Sequence, residues 1–139
     1  MAPGFDLGED STWKPQMETE DLNHIALHVS NLEASNKFYG ELLGLEKIKR
    51  PDFDFPGEWY RLGKSQELHL IAGRRDKVNS STRGNHFALG VKSMDLTEAF
   101  LKDKGILFTP RQTRPDGAFQ IYCEDPDGYW IEFCQNKVD

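Results

Sequence analysis

The chain has 139 residues, of which 37% are apolar and 29% charged, and carries a net charge of −6. This suits one folded domain and excludes a disordered chain. No stretch approaches the roughly 20 apolar residues of a membrane helix, and the acidic balance argues against nucleic acid or an anionic membrane as partner.

Residues 1–20 are rich in Gly, Pro, Asp and Glu and are expected to form a flexible tail or arm. They lack the basic start and apolar stretch of a secretory signal. Patterning begins at Leu22. In LNHIALHV, Ile25, Leu27 and Val29 alternate with His24, Ala26 and His28, which predicts a half-buried strand. Ser30 with Glu33 reads as a capping box opening a helix. Leu32, Phe38, Tyr39, Leu42 and Leu43 form its apolar face, and Gly44 stops it. Strands are expected near 45–50, 57–63 and 66–72. The polar run 74–83 reads as a linker.

The pattern then restarts. His86–Val91 (HFALGV) echoes His24–Val29 (HIALHV). Asp95 with Glu98 is expected to cap a second helix, with Leu96, Ala99 and Phe100 on its apolar face and Gly105 at its end. Strands near 106–111, 118–124 and 129–135 follow, the last after the turn Asp125-Pro126-Asp127-Gly128. Cys123 and Cys134 form no CxxC and are too few for a disulfide framework. They read as small strand residues of a protein in the reducing cytoplasm. The expected fold is α+β, with two βαβββ modules in tandem forming a cleft-enclosing mixed sheet. Module one spans 21–73 and module two 84–136, within one domain of residues 21–139.

The repeat also places metal-capable side chains at equivalent positions. His24 to His86 is 62 residues and His69 to Glu132 is 63; His24 to His69 is 45 and His86 to Glu132 is 46. Strand parity turns all four away from the apolar faces set by Leu68 and Leu70, Phe87 and Leu89, and Ile131 and Phe133. Three imidazoles and a carboxylate suit Zn, Ni, Co, Fe or Mn as one divalent ion. They do not suit Ca²⁺, which prefers oxygen ligands. Glu67 shares the parity of His69 and is a candidate to replace or support it. His28 faces the same cleft, about 13 Å along the strand from His24, well placed to meet a substrate. Trp59 and Trp130 are candidates to line a substrate pocket, together with Phe53, Phe55 and Tyr60.

LNHIALHVSNLEASNKFYGELLG, GNHFALGV and EDPDGYWIEF resemble the opening strand and helix, the second opening strand and the closing turn and strand of the vicinal oxygen chelate superfamily. That family includes glyoxalase I, methylmalonyl-CoA epimerase, thiol transferases, extradiol dioxygenases and bleomycin-resistance proteins. The resemblance covers about residues 22–136. It implies metal ligands at His24, His86 and Glu132. His69 stands where glyoxalase I carries a glutamate and the epimerase a glutamine. His28 stands where glyoxalases often hold glutathione with an arginine. The implied activity is that of a divalent-metal-dependent, glyoxalase-like lyase or isomerase. Its small substrate would chelate the metal through neighbouring oxygens. Glu132 would be the catalytic base, with Glu67 as a second acid–base group. An Fe(II) dioxygenase and a thiol transferase are the alternatives within the superfamily, and a non-catalytic ligand-sequestering protein is the alternative outside enzymology. The resemblance also implies a homodimer.

Overall fold

The computed structural model describes residues 13–138. The expected tail at 1–20 lies mostly outside the described residues; residues 13–20 are exposed and without regular structure. Module one is built from β1 (His24–Val29), α1 (Leu32–Asn36, continuing as a π-helix over Lys37–Leu42), β2 (Lys47–Ile48), β3 (Gly57–Arg61) and β4 (Glu67–Ala72). Module two repeats the order with β5 (Phe87–Gly90), α2 (Met94–Asp103), β6 (Gln112–Thr113), β7 (Phe119–Glu124) and β8 (Trp130–Gln135). Each module forms a four-stranded sheet, ordered β1-β4-β3-β2 and β5-β8-β7-β6. The first and last strands of each module pair in parallel, while the other pairs are antiparallel. The expected α+β architecture of two tandem modules is therefore the observed one.

Alternation along the strands does what it predicts. Leu27, Val29, Leu68 and Leu70 are buried in module one; Ile121, Cys123, Ile131 and Phe133 are buried in module two. They form one apolar cluster with Phe38, Tyr39, Met94 and Leu101 from the helices. At about 25 cal/mol per Å² of apolar surface, each fully buried Leu or Ile contributes on the order of 2 kcal/mol. Both cysteines are free, and burial pushes the Cys123 thiol up to about 12.

The first helix ends at Gly44 as expected, with a φ of 72° that favours glycine. Its second half is widened, with the Leu43 amide donating to the carbonyl of Phe38 at 2.9 Å. Gly40 lies in this stretch, where a Cβ would sit 3.0 Å from the Tyr60 hydroxyl. The bare glycine lets Tyr60 pass beneath the helix and donate to the Asn36 side chain at 2.7 Å.

Four local expectations are corrected. The first N-cap is Asn31, which accepts from the Ala34 amide, and not Ser30. Ser30 is drawn away because its amide and hydroxyl both donate to Asp127 in module two, at 3.0 and 2.6 Å. The second N-cap is Ser93 rather than Asp95, whose carboxylate instead accepts from Arg111. On α2 the buried residues are Met94 and Leu101, whereas Leu96 is 73% and Phe100 39% exposed, so the helix lies rotated from the face expected. Residues 106–111 do not form a strand. Thr109 exchanges bonds with Tyr122 of β7, but Pro110 follows, has no amide hydrogen, and breaks the ladder until Gln112.

The Asp125–Gly128 turn ties the modules together. Besides Ser30, Asp127 accepts from Arg74 at 2.6 Å, and its side chain is only 2% exposed. Tyr39 donates to Asp125 at 2.7 Å. Burial alone would raise the Asp127 carboxyl, but the hydrogen bonds from Ser30 and Arg74 outweigh it and hold the group below its ordinary value. Burial wins at Asp125 and raises it, against the donors Tyr39, Tyr129 and Asp127. The signs are opposite. Asp127 contributes stability above its unfolded value that is lost as pH falls through its folded value; Asp125 contributes on the acid side and loses it as pH rises. We expect Asp127→Ala to cost about 3 kcal/mol at pH 7 in urea unfolding. The gap should shrink as pH falls through the folded-state value of Asp127 and the wild-type carboxylate takes up its proton. A gap that stays constant down to acid unfolding would show that the Asp127 charge does not join the modules.

Candidate active site

The parallel strand pairs set the site. In module one, Ala26 is opposite His69, so His24 lies two residues back along the neighbouring strand. In module two, Ala88 is opposite Glu132, and His86 again lies two residues back, just before β5. The imidazoles of His24 and His69 stack, with centroids 4.1 Å apart and planes at 19°. His86 Nε2 lies 3.1 Å from Glu132 Oε1. The four candidates thus form two pairs related by the internal repeat. Among the described residues, no three His, Cys, Asp or Glu side chains gather so as to hold a metal within this chain.

Each pair has its own support. Glu67 Oε1 lies 2.9 Å from His69 Nε2, with the Arg61 guanidinium 4.0 Å from its other oxygen. A carboxylate on a ring nitrogen fixes an imidazole's tautomer and orientation. Trp59, opposite His69 on β3, lies flat against that ring at 3.7 Å with planes 2° apart. His24 Nδ1 lies 2.7 Å from the Asn23 side-chain oxygen.

Glu132 is 5% exposed and is held by three groups. Gln120 donates at 3.0 Å and the Tyr122 hydroxyl at 3.1 Å, besides the His86 contact. Burial would raise this carboxyl, but the bonds from Gln120, Tyr122 and His86 outweigh it and hold it below its ordinary value. It is therefore an anion at neutral pH. Burial, then the Glu132 charge, raises the Tyr122 hydroxyl, which stays a donor. Sequence reasoning missed Gln120 and Tyr122. Their signal was the alternation in FQIYC, where Ile121 and Cys123 take the core face and leave Gln120 and Tyr122 on the face of Glu132.

His86 Nδ1 lies 3.2 Å from the carbonyls of Ser81 and Gly84, so acceptors face both ring nitrogens. A neutral imidazole has one N–H and serves only one of the two sides; a second proton or a metal ion satisfies the other. The His86–Glu132 pair thus fits a cation.

The remaining candidates are placed as follows. His28 is exposed on β1, and its backbone carbonyl accepts from the Tyr129 hydroxyl at 2.7 Å. Trp130 is half-buried at the start of β8; its amide donates to Ser80, and it lines a small groove with Ile25, Leu27 and His86. Trp59 gives one ring face to His69.

Two repeated βαβββ modules, each presenting a paired polar site on the sheet face opposite its helix, define a tandem-module class of protein. The chain belongs to the Glyoxalase/Bleomycin resistance protein/Dioxygenase superfamily, whose family model matches residues 21–133. Glyoxylase I 4 of Arabidopsis thaliana is 31% identical over 121 residues, spanning 81% of this chain and 69% of its own. The lactoylglutathione lyase of Haemophilus influenzae is 31% identical over 82% of this chain and 91% of that protein. The structure of a glyoxalase family protein from Enterococcus faecalis superposes with a TM-score of 0.69 at 28% identity, covering 83% of this chain and 97% of that one. No helix among the described residues is long and apolar enough to cross a membrane.

Removing one donor from an ionised carboxylate raises its pKa. In metal-free protein, Tyr122→Phe should move the Glu132 titration upward, read from its side-chain carboxyl carbon by NMR. An unmoved titration would mean that the Tyr122 hydroxyl does not support the anion.

Proposed function

We propose that the protein is a divalent-metal-dependent lyase or isomerase of glyoxalase type, acting on a small substrate with two neighbouring oxygens. The observation that carries this reading is the 3.1 Å approach of His86 Nε2 to the buried Glu132 carboxylate, which sets a nitrogen and an oxygen ligand side by side. The names of its relatives in Arabidopsis thaliana and Haemophilus influenzae agree with it. His24, His69, His86 and Glu132 would hold the metal. Because each module offers one pair, four ligands meet when module one of one subunit faces module two of a second copy, so the functional unit is a homodimer. When bound, a Zn, Ni, Co, Fe or Mn ion would supply Lewis-acid stabilisation of charge developing on the substrate's two oxygens.

The chain's own groups divide the remaining work. Glu132 is ionised and poised as a base: it takes a proton from one substrate carbon and returns it to the neighbouring carbon, leaving no net change of atoms. Gln120 and Tyr122 aim the carboxylate and keep it charged while it waits. Glu67 holds the His69 ring and stands as the second acid–base group. His28, Trp59 and Trp130 border the space where the substrate would lie. The same acidic, cleft-forming domain suits a small molecule rather than nucleic acid or a membrane surface, and the cytoplasm is its proposed location.

Purified without a histidine tag, the protein should contain close to one divalent metal per site by mass spectrometry and sediment as a dimer. His86→Ala should lower the metal content at least tenfold. Glu132→Gln should lose at least a hundredfold in turnover, the smaller end of what a positioned general base contributes. A metal-free wild type that cannot be loaded at neutral pH would sink the metal-dependent reading and leave ligand sequestration in its place. Full turnover by Glu132→Gln would remove Glu132 from the base role.

A further inference from the structure

The polar segment between the modules, which reads in the sequence as a linker, is folded where it reaches the site. Ser81 and Gly84 close a tight turn. The Ser81 side-chain oxygen accepts from the Gly84 amide at 2.7 Å, and the Ser81 amide donates to the Asn85 carbonyl at 3.0 Å. The Ser80 hydroxyl donates to the same carbonyl at 2.7 Å, and the Asn85 side chain donates to the Asn79 carbonyl at 3.3 Å. Residues 79–85 are thus a hydrogen-bonded loop of their own, although Ser81, Gly84 and Asn85 are exposed.

The loop is aimed at the His86–Glu132 pair from two directions. The carbonyls of Ser81 and Gly84 both lie 3.2 Å from His86 Nδ1, whereas Glu132 approaches the other ring nitrogen. Ser80 Oγ also accepts from the Trp130 amide at 2.9 Å, which ties the loop to β8 two residues before Glu132. The Tyr122 ring meets the imidazole edge-on, with centroids 5.4 Å apart and planes at 85°. Exposed carbonyls are ordinarily satisfied by water, so two of them converging on one ring nitrogen is the work of the turn. Gly84 permits it by close approach and not by an unusual φ: a Cβ there would collide with the Ser81 hydroxyl.

We infer that Ser81 and Gly84 are positioning residues of the metal site. Their turn holds the one hydrogen of the neutral His86 ring on Nδ1 and leaves Nε2, on the side of Glu132, as the ligand atom. The assignment rests on the metal-dependent reading given under Proposed function. A neutral imidazole that gives one nitrogen to a metal keeps its hydrogen on the other. An acceptor placed there fixes the ring's orientation and raises its basicity. Here two backbone carbonyls share that role, and the turn that presents them is closed by a single hydroxyl, that of Ser81.

Four variants of the full chain test this: Ser81→Ala, Gly84→Ala, the two combined, and Ser81→Thr. Zinc affinity is read by competition with a chromophoric chelator, and the His86 ring by nitrogen NMR at saturating zinc. In the wild type, Nε2 should carry the shift of a metal-bound nitrogen and Nδ1 a hydrogen slow to exchange with solvent. Ser81→Ala should bind zinc about tenfold more weakly and lose the slow exchange. In Gly84→Ala the new methyl turns the Ser81 hydroxyl out of the turn, so its loss should be the same. The combined variant should lose no more than either alone, because the added Cβ then meets only the residue 81 Cβ, at an ordinary 3.7 Å. Ser81→Thr keeps a hydroxyl and should retain both readouts. Zinc on Nδ1, wild-type affinity in both single variants, weakened affinity with slow exchange intact, losses that add in the combined variant, or a Ser81→Thr no better than Ser81→Ala overturns the assignment. A wild type that takes up no zinc is a separate result, which removes the metal-dependent reading and the assignment with it.

Discussion

Everything at the candidate site depends on one constraint, the parallel pairing of the first and last strand in each module. Parallel pairing between strands of one module requires a crossover, and here the crossover contains a helix and two further strands. Its consequence is that two residues far apart in sequence sit on neighbouring strands with the same parity. His24 and His69 meet for this reason, and so do His86 and Glu132. A one-residue slip of either register would turn half of each pair into the core and expose Leu68 or Ile131 in its place. Burial of those side chains, both 0% exposed, is what fixes the register. The apolar core and the polar site are two faces of one pairing decision.

The modules are also bound by a polar device of their own. Asp125-Pro126-Asp127-Gly128 reads locally as a turn, and Gly128 with its φ of 91° is one. Both aspartates are turned inward. Asp125 organises the turn by accepting from the amides of Asp127 and Tyr129 and meets the Tyr39 hydroxyl. Asp127 collects Ser30 and Arg74 from module one and the segment after it. A buried carboxylate is tolerable only when its oxygens are occupied by donors. The need to satisfy Asp127 therefore draws Ser30 out of its capping role, and Asn31 takes that role over.

Much of this was legible in the sequence because it depends on local periodicity. The repeat of HIALHV and HFALGV, the matched gaps between polar residues, and the alternation of Leu68 and Ile131 with their neighbours all survive in the structure. What escaped was non-local. The cap falls at Ser93 and not at Asp95, whose carboxylate is bound by Arg111, sixteen residues on. The strand expected at 106–111 failed because Pro110 interrupts its ladder with β7, a partner that periodicity alone does not reveal. The rotation of α2 reflects the demands of Met94 and Leu101, each 0% exposed, over those of Leu96 and Phe100. Strand parity marked the face on which Glu132 lies, but not the hydroxyl and amide that converge on it from β7.

The difference between the two halves of the site follows from this convergence. In module two, β7 supplies Gln120 and Tyr122, both donors, and they keep a carboxylate charged beside an imidazole. In module one, the residue of β3 opposite His69 is Trp59, which offers a ring face instead. An aromatic face cannot stabilise an anion there as the β7 donors do at Glu132, whereas it packs well against an imidazole. Histidine at position 69 and tryptophan at position 59 are thus a matched choice, as are Glu132 and Tyr122. The repeat has kept its geometry while the chemistry has been divided between the modules: one half buries a carboxylate among donors, and the other stacks its imidazoles against Trp59 and carries its carboxylate, Glu67, beside them.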